Sequence, residues 1–138
     1  MKIKNAFLIT LLVMLSISTL AEAQSSTDNN YVVLTKKVPQ LQPILLAAEE
    51  LKLEDNEKFG AFEIIICGQQ IGDITDASKI DKFLDKAEKL GVTIVVCGFS
   101  LNKFNVDRKD VPKQMKIVEN GILYNLQLQR KGYYSLGL

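Results

Sequence analysis

Apolar positions in this chain follow two spacings in turn. Short runs rich in β-branched residues alternate with longer segments carrying one apolar stripe, which predicts strands and helices in succession. The first run is Tyr31-Val32-Val33-Leu34-Thr35. Behind it Leu41, Ile44, Leu45, Ala48 and Leu51 share one helical face, with Pro39 and Pro43 near the start, where a first turn accepts proline. Phe62 to Cys67 is apolar except for Glu63, which predicts a strand covered on both faces. Ile80, Phe83, Leu84, Ala87 and Leu90 form a second helical stripe, with Asp76 or Ser78 as its cap and Gly91 as a left-handed exit. Val92 to Cys97 is the third strand, Phe99 to Phe104 a short helix and Lys116-Ile117-Val118 a fourth strand. Gly121 to Lys131 reads as a helix with Ile122, Leu123 and Leu126 turned inward, closed by Gly132, and Tyr133 to Leu136 as a fifth, edge strand.

Strand and helix repeated with short links predict an α/β fold, a doubly wound, mostly parallel five-stranded sheet with helices on both faces. The expected strand order is 2-1-3-4-5, in which the first strand separates the second from the third. Cys67 and Cys97 then occupy equivalent places, each ending an apolar strand and each followed by glycine. Open α/β sheets bind ligands at the carboxyl ends of their strands, so both thiols are expected on a functional rim. With a strand between them their ends would stand about 9 to 10 Å apart at ~4.8 Å per strand, which disfavours a disulfide.

Residues 24–30 are small and polar and read as a flexible lead-in to a single domain over 31–138. Ahead of them Lys2 and Lys4 precede the uncharged stretch Ala6 to Leu20, which runs into Ala21-Glu22-Ala23, a small-x-small pattern. That order is the pattern of a secretory signal over 1–23, and the stretch is shorter than the roughly 20 apolar residues of a membrane span. The expected location is therefore outside the cytosol, periplasmic or extracellular, with no membrane attachment once the signal is removed.

Composition narrows the chemistry. Of 138 residues 47% are apolar and 24% charged, with 17 Lys plus Arg against 16 Asp plus Glu. A net charge of +1 offers no field for nucleic acid. The chain has no histidine, which removes Ser-His-Asp triads, Cys-His pairs and His-ligated metal sites. No cofactor or metal is expected. Gly68 to Gly72 lacks the Lys-Ser/Thr ending of a phosphate loop, and Asp73 and Asp76 read as residues flanking a helix start. Lys103, Arg108, Lys109 and Lys113, interrupted by Asp107 and Asp110, read as a solvated loop. Tyr124, Tyr133 and Tyr134 are candidates for a subunit contact.

The reactive chemistry left centres on the cysteines. Cys97 is the catalytic candidate, because a helix starting just after it directs free amides at the sulfur and favours the thiolate. Gly98 permits close approach of a substrate and Ser100 supplies a hydroxyl, while Gly68 lines the same rim. Cys67 is an auxiliary or redox candidate.

The segment GVTIVVCGFSLNKFNVD, Gly91 to Asp107, resembles the DsrE/DsrF-like sulfur-relay family, and the resemblance continues through Lys116-Ile117-Val118, Asn120-Gly121 and Gln129-Arg130-Lys131-Gly132-Tyr133. It implies the same α/β fold, trimeric or hexameric assembly, and Cys97 as an acceptor of sulfane sulfur, held as a persulfide and passed to an acceptor thiol. It also implies donor and acceptor proteins as partners. This chain departs from some members at Lys103-Phe104-Asn105, where they carry a basic residue followed by glycine. Two other readings stand beside the sulfur carrier: a non-catalytic oligomeric binding or assembly module with structural cysteines, and a Cys67–Cys97 dithiol redox protein.

Overall fold

β-Branched and aromatic residues extend the chain and bury well on a pleated surface, and five segments here do so in one sheet. The computed structural model describes residues 28–138. The strands are β1 (Asn29–Thr35), β2 (Phe59–Ile66), β3 (Val92–Cys97), β4 (Lys116–Val118) and β5 (Tyr134–Gly137). The helices are α1 (Leu41–Asp55), α2 (Ala77–Leu90), α3 (Gly98–Lys103) and α4 (Gly121–Arg130). All four strand pairings are parallel and the order is β4-β3-β2-β1-β5. The doubly wound α/β expectation is met, but the order 2-1-3-4-5 is not. Each step from β1 to β4 moves the same way across the sheet, so β2 and β3 are neighbours with nothing between them. The expected signal segment lies outside the described residues.

Two layers follow from that order. Successive right-handed crossovers in one direction stack α1, α2 and α3 on one face. There Ile44, Leu45 and Ala48 of α1 and Ile80, Phe83, Leu84 and Ala87 of α2 pack over Val33, Phe62, Ile64, Ile66, Ile94 and Val96. Asp76 caps α2 by accepting from the Ser78 N–H at 3.0 Å, and Gly91 closes it with φ 75°. The return from β4 to the opposite border, beside β1, lays α4 on the other face. That layer is thin: Val32, Ile65, Cys67, Val95, Cys97 and Leu128 make up its buried hydrophobic cluster.

Helix α4 turns a different side inward from the one its leucines suggest. Gly121 and Leu128 are buried and Tyr124 is half-buried, whereas Ile122, Leu123 and Leu126 are more than half exposed. The spacing i, i+3, i+7 of Gly121, Tyr124 and Leu128 is a helical face. It is chosen by the close approach of Gly121 to the sheet and by a Tyr124 hydrogen bond, neither of which registers as hydrophobicity. Strand β1 also starts earlier than Tyr31, at Asn29, because the Asn30 side chain accepts from the Ala61 N–H at 2.7 Å and the Asn29 amide donates to Asp55 at 2.8 Å.

Candidate functional site

Alternation along β2 and β3 decides where the cysteines point. Ile66 lies opposite Val96, so Cys67 and Cys97 come next and face α4, as Ile65 and Val95 do two residues back. The Cys67 N–H donates to the Thr35 carbonyl at 3.0 Å, which carries the ladder one residue past β2. Both cysteines are free thiols. They stand at the carboxyl ends as expected, but they are not on an open rim: Cys97 is 3% and Cys67 8% exposed. The roof over them is the Asn120-Gly121 start of α4.

That roof is a capping arrangement in which a sulfur takes part. The first amides of a helix lack intrahelical acceptors. Here the Asn120 side chain accepts from Ile122 N–H at 3.0 Å and Leu123 N–H at 3.1 Å, and the Asn120 carbonyl accepts from Tyr124 N–H. The remaining amide, Gly121 N–H, donates to Cys97 Sγ at 3.3 Å. A side chain at 121 has no room, since a Cβ there would lie 2.5 Å from Cys67 Sγ, 2.9 Å from Ile65 Cγ2 and 3.1 Å from Cys97 Cβ.

Ser100 and Gly68 complete the surroundings. Ser100 is buried, and its Oγ accepts from the Gly68 N–H at 2.9 Å. Gly68 holds φ at 95°, a left-handed conformation that glycine adopts without strain. Burial pushes the Cys97 thiol up, but the Ser100 hydroxyl, the Gly121 and Ser100 N–H groups and the Cys67 thiol all donate to its sulfur. Their balance holds it below the ordinary cysteine range. Cys67 goes the other way. Burial, then the Cys97 charge beside it and the hydrogen bond it donates to Cys97, push its thiol up to about 12. Of the pair, Cys97 therefore gives up its proton more readily than Cys67.

Gly98 sits under the guanidinium of Arg108, where a Cβ would fall 2.7 Å from Nη2 and 3.0 Å from the Val118 carbonyl oxygen. It thus packs against protein and offers no substrate approach. Arg108 grips Glu119 through two 2.9 Å contacts, and the Glu119 carbonyl accepts from Phe99 N–H at 2.8 Å. Arg108 and Glu119 fasten the segment before α4 to the start of α3. The basic stretch is exposed as the sequence suggested, and within it Arg108 pairs with Glu119 and Lys109 with Asp107 at 3.1 Å. Asp73 pairs with Lys79 at 2.6 Å.

Four residues before Cys67 on the same face, Glu63 is buried and accepts from the Tyr124 hydroxyl at 2.8 Å. Lys116 Nζ donates to that hydroxyl at 2.7 Å and lies 4.6 Å above the Tyr124 ring. This relay neutralises a buried carboxylate and pins α4 across β2 and β4. Tyr124 and Tyr133 are spent inside the chain, leaving Tyr134 as the exposed member of the tyrosine group. An apolar groove of ≈ 560 Å3 between α1 and β5, lined by Tyr31, Ile44, Phe62 and Leu136 among others, opens on the face away from the cysteines.

Sequence reasoning found Cys97, Cys67, Ser100 and Gly68 but missed Gly121, Asn120, Arg108 and Glu119. Asn120-Gly121 directly before a helical stripe is a capping signal and was the available clue. No protein-family model matches the chain, and no curated protein matches it either. Solved structures do. A protein of unknown function from Methanobacterium thermoautotrophicum is 13% identical with a TM-score of 0.70, over 80% of this chain and 100% of that one. A conserved protein of unknown function from Bacteroides thetaiotaomicron is 16% identical with a TM-score of 0.64, over 85% of this chain and 100% of the other. At such identities the likeness establishes the fold, an α/β layer architecture that this chain shares with both.

Proposed function

We propose that this protein is an exported, DsrE-like sulfur carrier, in which the Cys97 thiolate accepts sulfane sulfur as a persulfide and hands it to an acceptor thiol. The observation that carries the reading is the Gly121 N–H aimed at Cys97 Sγ at 3.3 Å, with Ser100 and Cys67 as further donors. A thiolate is the nucleophile in sulfur exchange, and these donors favour it. Loading requires the amino end of α4 to lift. What holds it is the Gly121 contact, the Tyr124 hydroxyl bond to Glu63 and the tie of Glu119 to Arg108 and Phe99.

The outer side of α4 bears on assembly. Ile122, Leu123 and Leu126 form an exposed apolar strip, and Tyr134, Leu136 and Leu138 expose more apolar surface along β5. Such a patch suits a subunit contact, in keeping with a homo-oligomer, trimeric or hexameric. Light scattering is expected to give a multiple of the chain mass, and Leu123→Glu with Leu126→Glu to reduce it to single chains of unchanged circular dichroism. A wild-type chain that scatters as a monomer would refute the assembly.

The carrier is tested by treating reduced protein with polysulfide, desalting it and weighing it intact. Cys67→Ala is expected to gain about 32 Da, one sulfur atom, and Cys97→Ala to gain none. If Cys67→Ala keeps its starting mass, Cys97 is no sulfur acceptor. The 3% exposure of Cys97 favours a second reading, a non-catalytic oligomeric module with structural cysteines. That reading expects native Cys97 to resist both polysulfide and iodoacetamide.

A further inference from the structure

Strands β2 and β3 are neighbours, and this gives Cys67 a chemical part in the carrier. We propose that Cys67 is a resolving thiol: when no acceptor thiol takes the sulfur, it attacks the persulfide on Cys97, releases hydrogen sulfide and leaves a Cys67–Cys97 disulfide. The inference rests on Cys97 accepting sulfur, as proposed above.

Three observations of geometry support it. Ile66↔Val96 is the last pair of the β2–β3 register, and the two cysteines are the residues that directly follow it on adjacent chains. Adjacent strands lie about 4.8 Å apart, within the roughly 4.4 to 6.8 Å between Cα atoms that a disulfide spans. Both side chains point to the same face, where Cys67 Sγ and Cys97 Cβ lie 2.5 and 3.1 Å from the one point that a Cβ on Gly121 would occupy. Lastly, the roof above the pair lacks a side chain, and a Cβ on Gly121 would press on Cys67 Sγ at 2.5 Å. Two sulfurs held this close react as one molecule, without the entropy cost of encounter that an external acceptor thiol must meet.

The step balances without another oxidant. The bond between Cys97 Sγ and the sulfane sulfur breaks as the bond between Cys67 Sγ and Cys97 Sγ forms. Cys67 supplies two electrons, the sulfane sulfur leaves reduced, and the Cys67 proton leaves with it as hydrogen sulfide. A small dithiol then resets the pair by thiol–disulfide exchange.

The test uses wild-type protein, Cys67→Ala and Cys67→Ser, all reduced, freed of reductant, treated with sodium polysulfide and desalted. Non-reducing intact mass is expected to show the wild type about 2 Da lighter than its reduced form, with a digest peptide linking Cys67 to Cys97. Both Cys67 variants are expected to sit about 32 Da heavier. Cys67→Ser keeps the side-chain size and so excludes an effect of a cavity at 67. Wild type carried through without polysulfide is expected to keep its reduced mass. If treated wild type retains the added sulfur as the variants do, the resolving role is overturned while the carrier stands. If the variants gain nothing, the carrier reading fails and the resolving step goes with it.

Discussion

Gly121→Ala is expected to lower the unfolding free energy by about 2 kcal/mol, the usual cost of forcing a methyl into a filled site. The new Cβ would meet Cys67 Sγ, Ile65 Cγ2 and Cys97 Cβ at 2.5, 2.9 and 3.1 Å, and two of those atoms belong to central strands that cannot yield. The amino end of α4 must therefore rise, taking the Gly121 N–H away from Cys97. Loss of a donor to the thiolate raises the Cys97 pKa, because hydrogen bonding to a charged form is what depresses it. The midpoint of thiolate absorbance, followed against pH, is expected to move upward, so that less thiolate remains at neutral pH than in the wild type. Cys67→Ala in the same chain removes the shortest of the three contacts. The double variant is expected to recover about 1 kcal/mol relative to the sum of the singles, measured by denaturant unfolding. Strict additivity would mean that the sulfur is not what the methyl strikes.

Phe62→Ala should cost more, about 4 kcal/mol, without altering the sulfur chemistry. Phe62 is 2% exposed and lies within an aromatic group, its ring centroid 5.7 Å from that of Tyr31 and 6.4 Å from that of Phe59. Truncation empties a site walled by β1 and α1, and the surrounding strands cannot collapse into it. Four kcal/mol is a large share of the roughly 5 to 15 that a domain of this size holds, so the urea midpoint should fall steeply. The site is remote from the cysteines, five residues before Cys67, roughly 16 Å along the strand, and on the opposite face. Below the unfolding transition the Cys97 titration is expected to match the wild type. A shifted titration would show that the two faces of the sheet are coupled.

These two positions also show what could be read from the sequence. Phe62 to Ile66 and Val92 to Val96 declare themselves as interior strands because all but Glu63 and Thr93 are apolar, with Ile65 and Val95 apolar on the second side of the alternation. Ile80, Phe83, Leu84 and Ala87 declare the inner face of α2 for the same reason, and all are buried. Strand order is not written locally. It depends on the direction in which each crossover turns, and a right-handed connection can place β2 on either side of β1 as long as its helix changes face. The expected order kept Cys67 and Cys97 apart, and the observed order joins them. The inner face of α4 was misread for another reason: Gly121 counts for nothing on a hydrophobicity scale, yet its missing side chain sets how the helix docks. Gly98 was legible as a glycine that something approaches, but that something is Arg108 and not a substrate.

The crossing from β4 back to the border beside β1 has a consequence for the order of assembly. A nascent chain can lay down its first four strands in sequence, each against its predecessor, with the helices of one face added as they are made. The opposite face must wait for the carboxyl terminus. Until α4 and β5 arrive, one flank of β1 has no partner and the sulfur pair has no ceiling, so the fifth strand made completes the first.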